Sequence, residues 1–177
     1  MKTRILTLAI LLYFGGLFAG INSPSTVYNY KHTVVEQNQQ KPEYAKFEIA
    51  LKLTLEVEGK YVNDPADVGG ETYKGIARKK NPKWEGWVII DSFKTNPNFP
   101  GNLEANKNLQ KLIPVFYRKN YWNRIKGDRI KSQEIANQLF GTAVNMGVVP
   151  AIRIMQNACG AKPTGKMDDA TLNALND

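Results

Sequence analysis

Residues 43–59, EYAKFEIALKLTLEVEG, run directly into residues 60–76, KYVNDPADVGGETYKGI, and the join between the two decides the architecture. In the first run Phe47, Leu51, Thr54 and Glu58 recur at the three- and four-residue intervals of one helix face. Ile49, Leu53 and Val57 widen the apolar side, and Gly59 is placed to stop the helix. The second run loses that period. Asn63 to Gly70 is dense in turn formers and is flanked by Tyr61-Val62 and by Thr72 to Ile76, which predicts an irregular β-hairpin or small sheet.

Toward the C-terminus, the prolines and aromatics between Asn81 and Gly101 predict loop and short helix, with Trp84, Trp87, Phe93 and Phe99 filling the core or touching sugar rings. Leu103 to Ile125 reads as a helix with Leu109, Leu112, Phe116, Tyr117 and Tyr121 inward, bent where Pro114 removes a donor. Ser132 is a cap for a helix running to about Asn145. Ala151 to Cys159 gives another helix stopped by Gly160, and Asp168 or Asp169 caps a last one through Leu175. Six helical stretches and one hairpin define an α+β domain that is mainly α.

Toward the N-terminus, Lys2 and Arg4 precede an apolar run from Ile5 to Phe18 and the small residues Ala19 and Gly20. Residues 1–20 therefore read as a signal peptide or membrane anchor, and 21–42 as a polar linker. An exported protein is expected, in the periplasm or outside the cell, with a membrane tether if the leader is retained.

The chain of 177 residues carries a formal charge of +8, and taking away the two leader cations leaves +6. Such a surface suits polyanions, including a cell wall rich in carboxylates and phosphates, and equally serves solubility. No basic run is interleaved with stacking aromatics, so nucleic acid is not an expected partner. Cys159 is the sole cysteine and His32 the sole histidine. Zinc hydrolases and Cys/His or Ser/His hydrolases need imidazole in the folded site, and His32 falls in the linker. Carboxylate chemistry without metal or cofactor remains.

Glycosidic cleavage takes a protonated carboxyl on the leaving oxygen and a second group on the opposite sugar face. Glu58 suits the acid role because it continues an apolar helix stripe and sits at the negative end of a helix dipole, both of which disfavour its charged form. Glu56 points about 200° away around the helix, toward the polar side. Asp67 and Thr72 lie in the glycine-rich turn that would fold back over the helix end, where they could hold a water; that arrangement predicts inversion, with carboxylates roughly 6.5 to 9.5 Å apart. On spacing alone, Glu58 is also readable as a helix-end carboxylate paired with a lysine, Asp64 and Asp67 as Asx-turn residues, and Thr72 as an ordinary strand residue.

The run from Glu58 to Ile76 closely resembles the signature of glycoside hydrolase family 108, phage-endolysin-type N-acetylmuramidases with a lysozyme-like fold. Lys60 stands where the family usually has glycine, and Val68 where it often has proline. Tyr121-Trp122 and Ala143 to Gly147 resemble the helical half of that family, and Ala151 to Leu175 its C-terminal peptidoglycan-binding segment. The resemblance implies a catalytic domain over 43–147 and a small helical segment over 148–177 packed on it. It makes Glu58 the catalytic glutamate and implies substrate contacts from Tyr61, Asp64, Gly70, Tyr73 and Asn145, the last equally readable as a helix stop. Asp67 and Thr72 as its partners follow from a resemblance to the acid-turn-threonine order of phage lysozymes of the Glu, Asp, Thr type, where the interval is one residue longer. The implied reaction is hydrolysis of the β-1,4 bond between N-acetylmuramic acid and N-acetylglucosamine in peptidoglycan, by a monomer. A lytic transglycosylase and a non-enzymatic wall-binding protein are the alternatives.

Overall fold

The structure is a computed structural model that describes residues 43–64 and 69–177; the leader, the linker with His32, and Asp67 lie outside the described residues. Six helices and a three-stranded antiparallel sheet follow one another as α1 (Phe47–Val57), β1 (Tyr61–Val62), β2 (Thr72–Tyr73), β3 (Ile76–Ala77), α2 (Gly86–Phe93), α3 (Lys107–Tyr117), α4 (Gln133–Met146), α5 (Val148–Ala158) and α6 (Asp169–Asn176). The mainly helical α+β fold is thus the observed one.

α1 buries Phe47, Ala50, Leu51 and Thr54, the face that its periodicity marks. Its start is set by tertiary contacts. Ala45 N–H donates to Ile130 O at 2.8 Å, and the Gln133 amide holds Lys46 from both sides, accepting from its N–H at 2.7 Å and donating to its carbonyl at 3.1 Å. Helix therefore begins at Phe47, four residues later than Glu43. Ile49, Leu53 and Val57 do not join the core: they are 43, 47 and 83% exposed, because the packing elements meet the Phe47 side of the helix and leave this stripe uncovered.

The core closes around aromatic rings. Trp122 lies 5.6 Å from Phe47 and 5.8 Å from Phe140, and its indole N–H donates to Asp128 at 2.7 Å, so its one polar atom is satisfied in a fully buried site.

The expected single helix from Leu103 to Ile125 is broken up. A 3₁₀ turn covers Gly101–Leu103, Asn106 caps α3 by accepting from Leu109 N–H at 2.9 Å, and the last turn, Arg118–Trp122, is π-helical. Pro114 lies inside α3 without breaking it. The wide turn follows, where the Asn120 side chain donates to Phe116 O at 2.8 Å, inserting a side-chain donor into the backbone ladder. Ile113 rather than Leu112 becomes the fully buried residue of this turn.

Ser132 caps α4 by accepting from Ile135 N–H, and Asp168 caps α6 by accepting from Thr171 N–H at 2.9 Å. α5 starts at Val148, earlier than Ala151, because Pro150 falls in its first turn, where no helical N–H bond is lost. α5 and α6 are joined through Gln156, which is fully buried. Its amide nitrogen donates to Thr171 Oγ1, Lys166 O and Thr164 Oγ1, and its oxygen accepts from Gly165 N–H at 2.9 Å. No described helix is long and apolar enough to cross a membrane.

Candidate active site

Glu58 occupies the residue after α1, where the backbone turns from helical to extended (φ −78°, ψ 135°) while its N–H still bonds Thr54 O at 3.2 Å. Two residues on, the chain enters the sheet: Lys74 N–H donates to Lys60 O at 3.0 Å, and the ladder continues through Tyr61 opposite Tyr73 and Val62 opposite Thr72. The helix end and the sheet are thereby locked together.

β2 and β3 are joined by Lys74-Gly75, both at positive φ (45° and 77°), the two-residue geometry that matches the twist of a hairpin. The tip of this hairpin lies directly under the glutamate. A methyl group on Gly75 would stand 2.6 Å from Glu58 Oε2 and 2.6 Å from the Tyr117 hydroxyl, so glycine is required here by backbone conformation and by space. Glu58 and Tyr117 share the surface that the missing side chain leaves.

Glu58 is half-buried and makes no hydrogen bond or ion pair through its carboxyl with any described residue; burial raises its pKa above the usual glutamate value. Tyr117 cannot stabilise the anion, because its single proton is donated to Lys74 O at 2.7 Å. Burial first, and then the proximity of Glu58, raises the pKa of the Tyr117 and Tyr121 phenols. Those two rings lie 5.8 Å apart at 31° and form an aromatic wall beside the acid.

The opposite electrostatics hold at Glu104, which the sequence does not single out. Burial pushes its carboxyl up, but hydrogen bonds from Lys74 and Tyr73 and the charges of Lys74 and Lys60 outweigh this and hold it below the usual carboxylate range. Lys60, at the family's usual glycine position, thus acts on Glu104; no effect of it on Glu58 is resolved.

The other expected site residues fall into distinct settings. Thr72 is half-buried, and its hydroxyl donates to Gly70 O at 3.1 Å, which leaves the oxygen lone pairs free to accept. Tyr73 is fully buried: its hydroxyl donates to Glu104 at 2.8 Å and accepts from Gln110 at 2.9 Å, so it fastens the sheet to α3 and offers no surface to a sugar. Gly70 is buried at φ 65° under the aliphatic chain of Lys79. Tyr61 stacks edge-on against Phe99 at 4.7 Å and donates to Glu71 at 2.8 Å; burial and that carboxylate push its hydroxyl up to about 12. Asp64 is exposed, and Asn145 is exposed in the last turn of α4.

Glu71, also not singled out by the sequence, anchors the sheet. It is 8% exposed and binds Tyr61, Arg78 and Lys94, while Arg78 forks onto both Asp91 oxygens at 2.6 and 3.0 Å and lies over the Trp87 ring at 4.5 Å. This network fixes β2 and β3 to α2. Among the described residues, no group of three or more His, Cys, Asp or Glu is placed to hold a metal ion.

A half-buried carboxyl whose pKa is raised by burial, set at a helix end over the tip of a small antiparallel sheet in a mainly helical domain, fits the lysozyme-like class of glycosidases. The chain belongs to the glycosyl hydrolase 108 family, whose model matches residues 51–147. It is therefore a glycoside hydrolase. Among solved structures, the chain is similar to one titled "Structure of Brucella abortus SagA", with a TM-score of 0.49 and 25% identity over 73% of this chain and 67% of that chain. No curated protein matches.

Proposed function

We propose that the protein is an N-acetylmuramidase that hydrolyses the β-1,4 bond between N-acetylmuramic acid and N-acetylglucosamine in peptidoglycan. The observation that carries this reading is the Glu58 carboxyl, seated on Gly75 with no cation against it and raised by burial. Glu58 donates its proton to the bridging oxygen as the bond to the muramic anomeric carbon breaks. A water held by Asp67 and the Thr72 oxygen attacks that carbon from the opposite face and gives its proton to Asp67, which inverts the anomeric configuration. Tyr61, Asp64 and Asn145 border the bound strand, and Gly70 and Tyr73 support the sheet beneath it. Residues 148–177 add wall affinity. Residues 1–20 direct the chain to the periplasm or beyond, and the basic charge draws it to the wall as a monomer.

The test is product analysis. Purified protein should clear a suspension of peptidoglycan sacculi, and mass spectrometry should find reducing muramic ends in the α configuration at first release. Anhydro-muramic ends would make the protein a lytic transglycosylase, with the muramic 6-hydroxyl in place of water. Binding to sacculi without any loss of turbidity would leave a wall-binding protein.

A further inference from the structure

A cavity of about 450 Å³ lies between the loop ahead of α2 and the C-terminal half of α3. Its floor is aromatic. Trp84 is partly buried there, with its ring laid over Gly86, where a Cβ would come within 2.4 Å, and braced edge-on by Trp87 at 5.1 Å and Phe116 at 6.1 Å. The ring is thus fixed in place before any ligand arrives. The rim carries Lys80, Lys83 and Lys119 against a single acid, Glu85. Among the described residues none of the three lysines has an ion-pair partner, whereas Lys74, Arg78, Lys94 and Arg118 are all paired. A rigid apolar platform under three unneutralised ammonium groups fits a short ligand with several carboxylates and some apolar surface. It does not fit a nucleic acid strand, which needs a run of stacking rings along a basic track.

The cavity is separate from Glu58 but linked to it through α3. Tyr117 turns to Gly75 and Glu58, and its neighbour Phe116, about 100° around the helix, turns to Trp84. A helix with its side chains is about 10–12 Å across, and an extended chain of four residues reaches about 13 Å. We propose that this cavity binds the acidic stem peptide carried by the muramic acid unit held at Glu58, so that the enzyme favours strands bearing peptides over bare glycan. The proposal rests on the peptidoglycan reading above.

The experiment replaces all three lysines, in K80Q/K83Q/K119Q, and compares soluble glycan strands with and without stem peptides. For the peptide-bearing strands KM should rise about tenfold with kcat unchanged, and for bare strands neither should move. An unchanged KM on peptide-bearing strands overturns the proposal while leaving the hydrolase reading intact. Fluorescence titration with a disaccharide-tetrapeptide needs no cleavage. Saturable quenching that is absent from Trp84→Phe and about tenfold weaker in the triple variant supports the site even if the wild type cleaves nothing. No quenching, or equal competition by an oligonucleotide of the same charge, overturns it.

Discussion

Glu58 and Glu104 show how position sets the state of two chemically identical groups. Glu58 gains nothing from ionising: it is half-buried, no lysine reaches it, and the nearest hydroxyl proton belongs to Lys74 O. Its folded pKa therefore lies above the ordinary 4.5, so folding favours the protonated form. That contribution is fully present below 4.5 and is lost as pH rises through the raised value. Glu58→Gln should accordingly leave the melting temperature unchanged in acid and raise it near neutrality, which paired thermal melts will show. Gly75 supplies a second prediction. Gly75→Ala puts a methyl group into Glu58 and Tyr117 and forces an L-residue to φ 77°, at a cost of about 1–2 kcal/mol from the backbone alone. Turnover should fall further than stability does. Gly59→Ala, with nothing within 4 Å of the new methyl, should stay within about 0.5 kcal/mol in a denaturant melt. The place of Glu58 at the end of a buried stripe is legible in the sequence. The support beneath it is not, because Lys74-Gly75 reads as strand flank and Glu104 reaches Tyr73 across thirty-one positions.

At the scale of elements, capping residues carry their meaning locally, so Ser132 and Asp168 mark the starts of α4 and α6 without any knowledge of tertiary structure. Periodicity says less. α1 has two apolar stripes, and only neighbouring elements decide that Phe47, Leu51 and Thr54 are covered while Ile49, Leu53 and Val57 are not. The wide turn after α3 likewise depends on a single side-chain bond from Asn120 to Phe116 O. Glu71 is the element-level fastener. Glu71→Ala strips Tyr61, Arg78 and Lys94 of their shared acceptor, while Asp91 still holds the two cations, and should cost about 1–3 kcal/mol, read as a lower denaturant midpoint. In α5, Gln156→Met leaves the Gly165 N–H buried without its acceptor and removes the donor to Thr171, a loss of about 1–3 kcal/mol on the same measurement.

For the whole molecule, the family match ends at residue 147, yet α5 and α6 continue the same core through Ala151, Ile152, Leu172 and Leu175. The fold class and family are legible because one 34-residue stretch joins an amphipathic helix to a glycine-rich turn, a strong local pattern. Reaction outcome is less legible, since it depends on where Asp67 stands relative to Glu58. The measurement that bears most directly on the mechanism is the rate of sacculus clearance by Glu58→Gln beside the parent, at equal binding and at a temperature where both are fully folded. Loss of the acid should slow clearance by about 10²–10⁴-fold. A variant that clears sacculi at the parental rate would contradict the assignment of Glu58 as the proton donor.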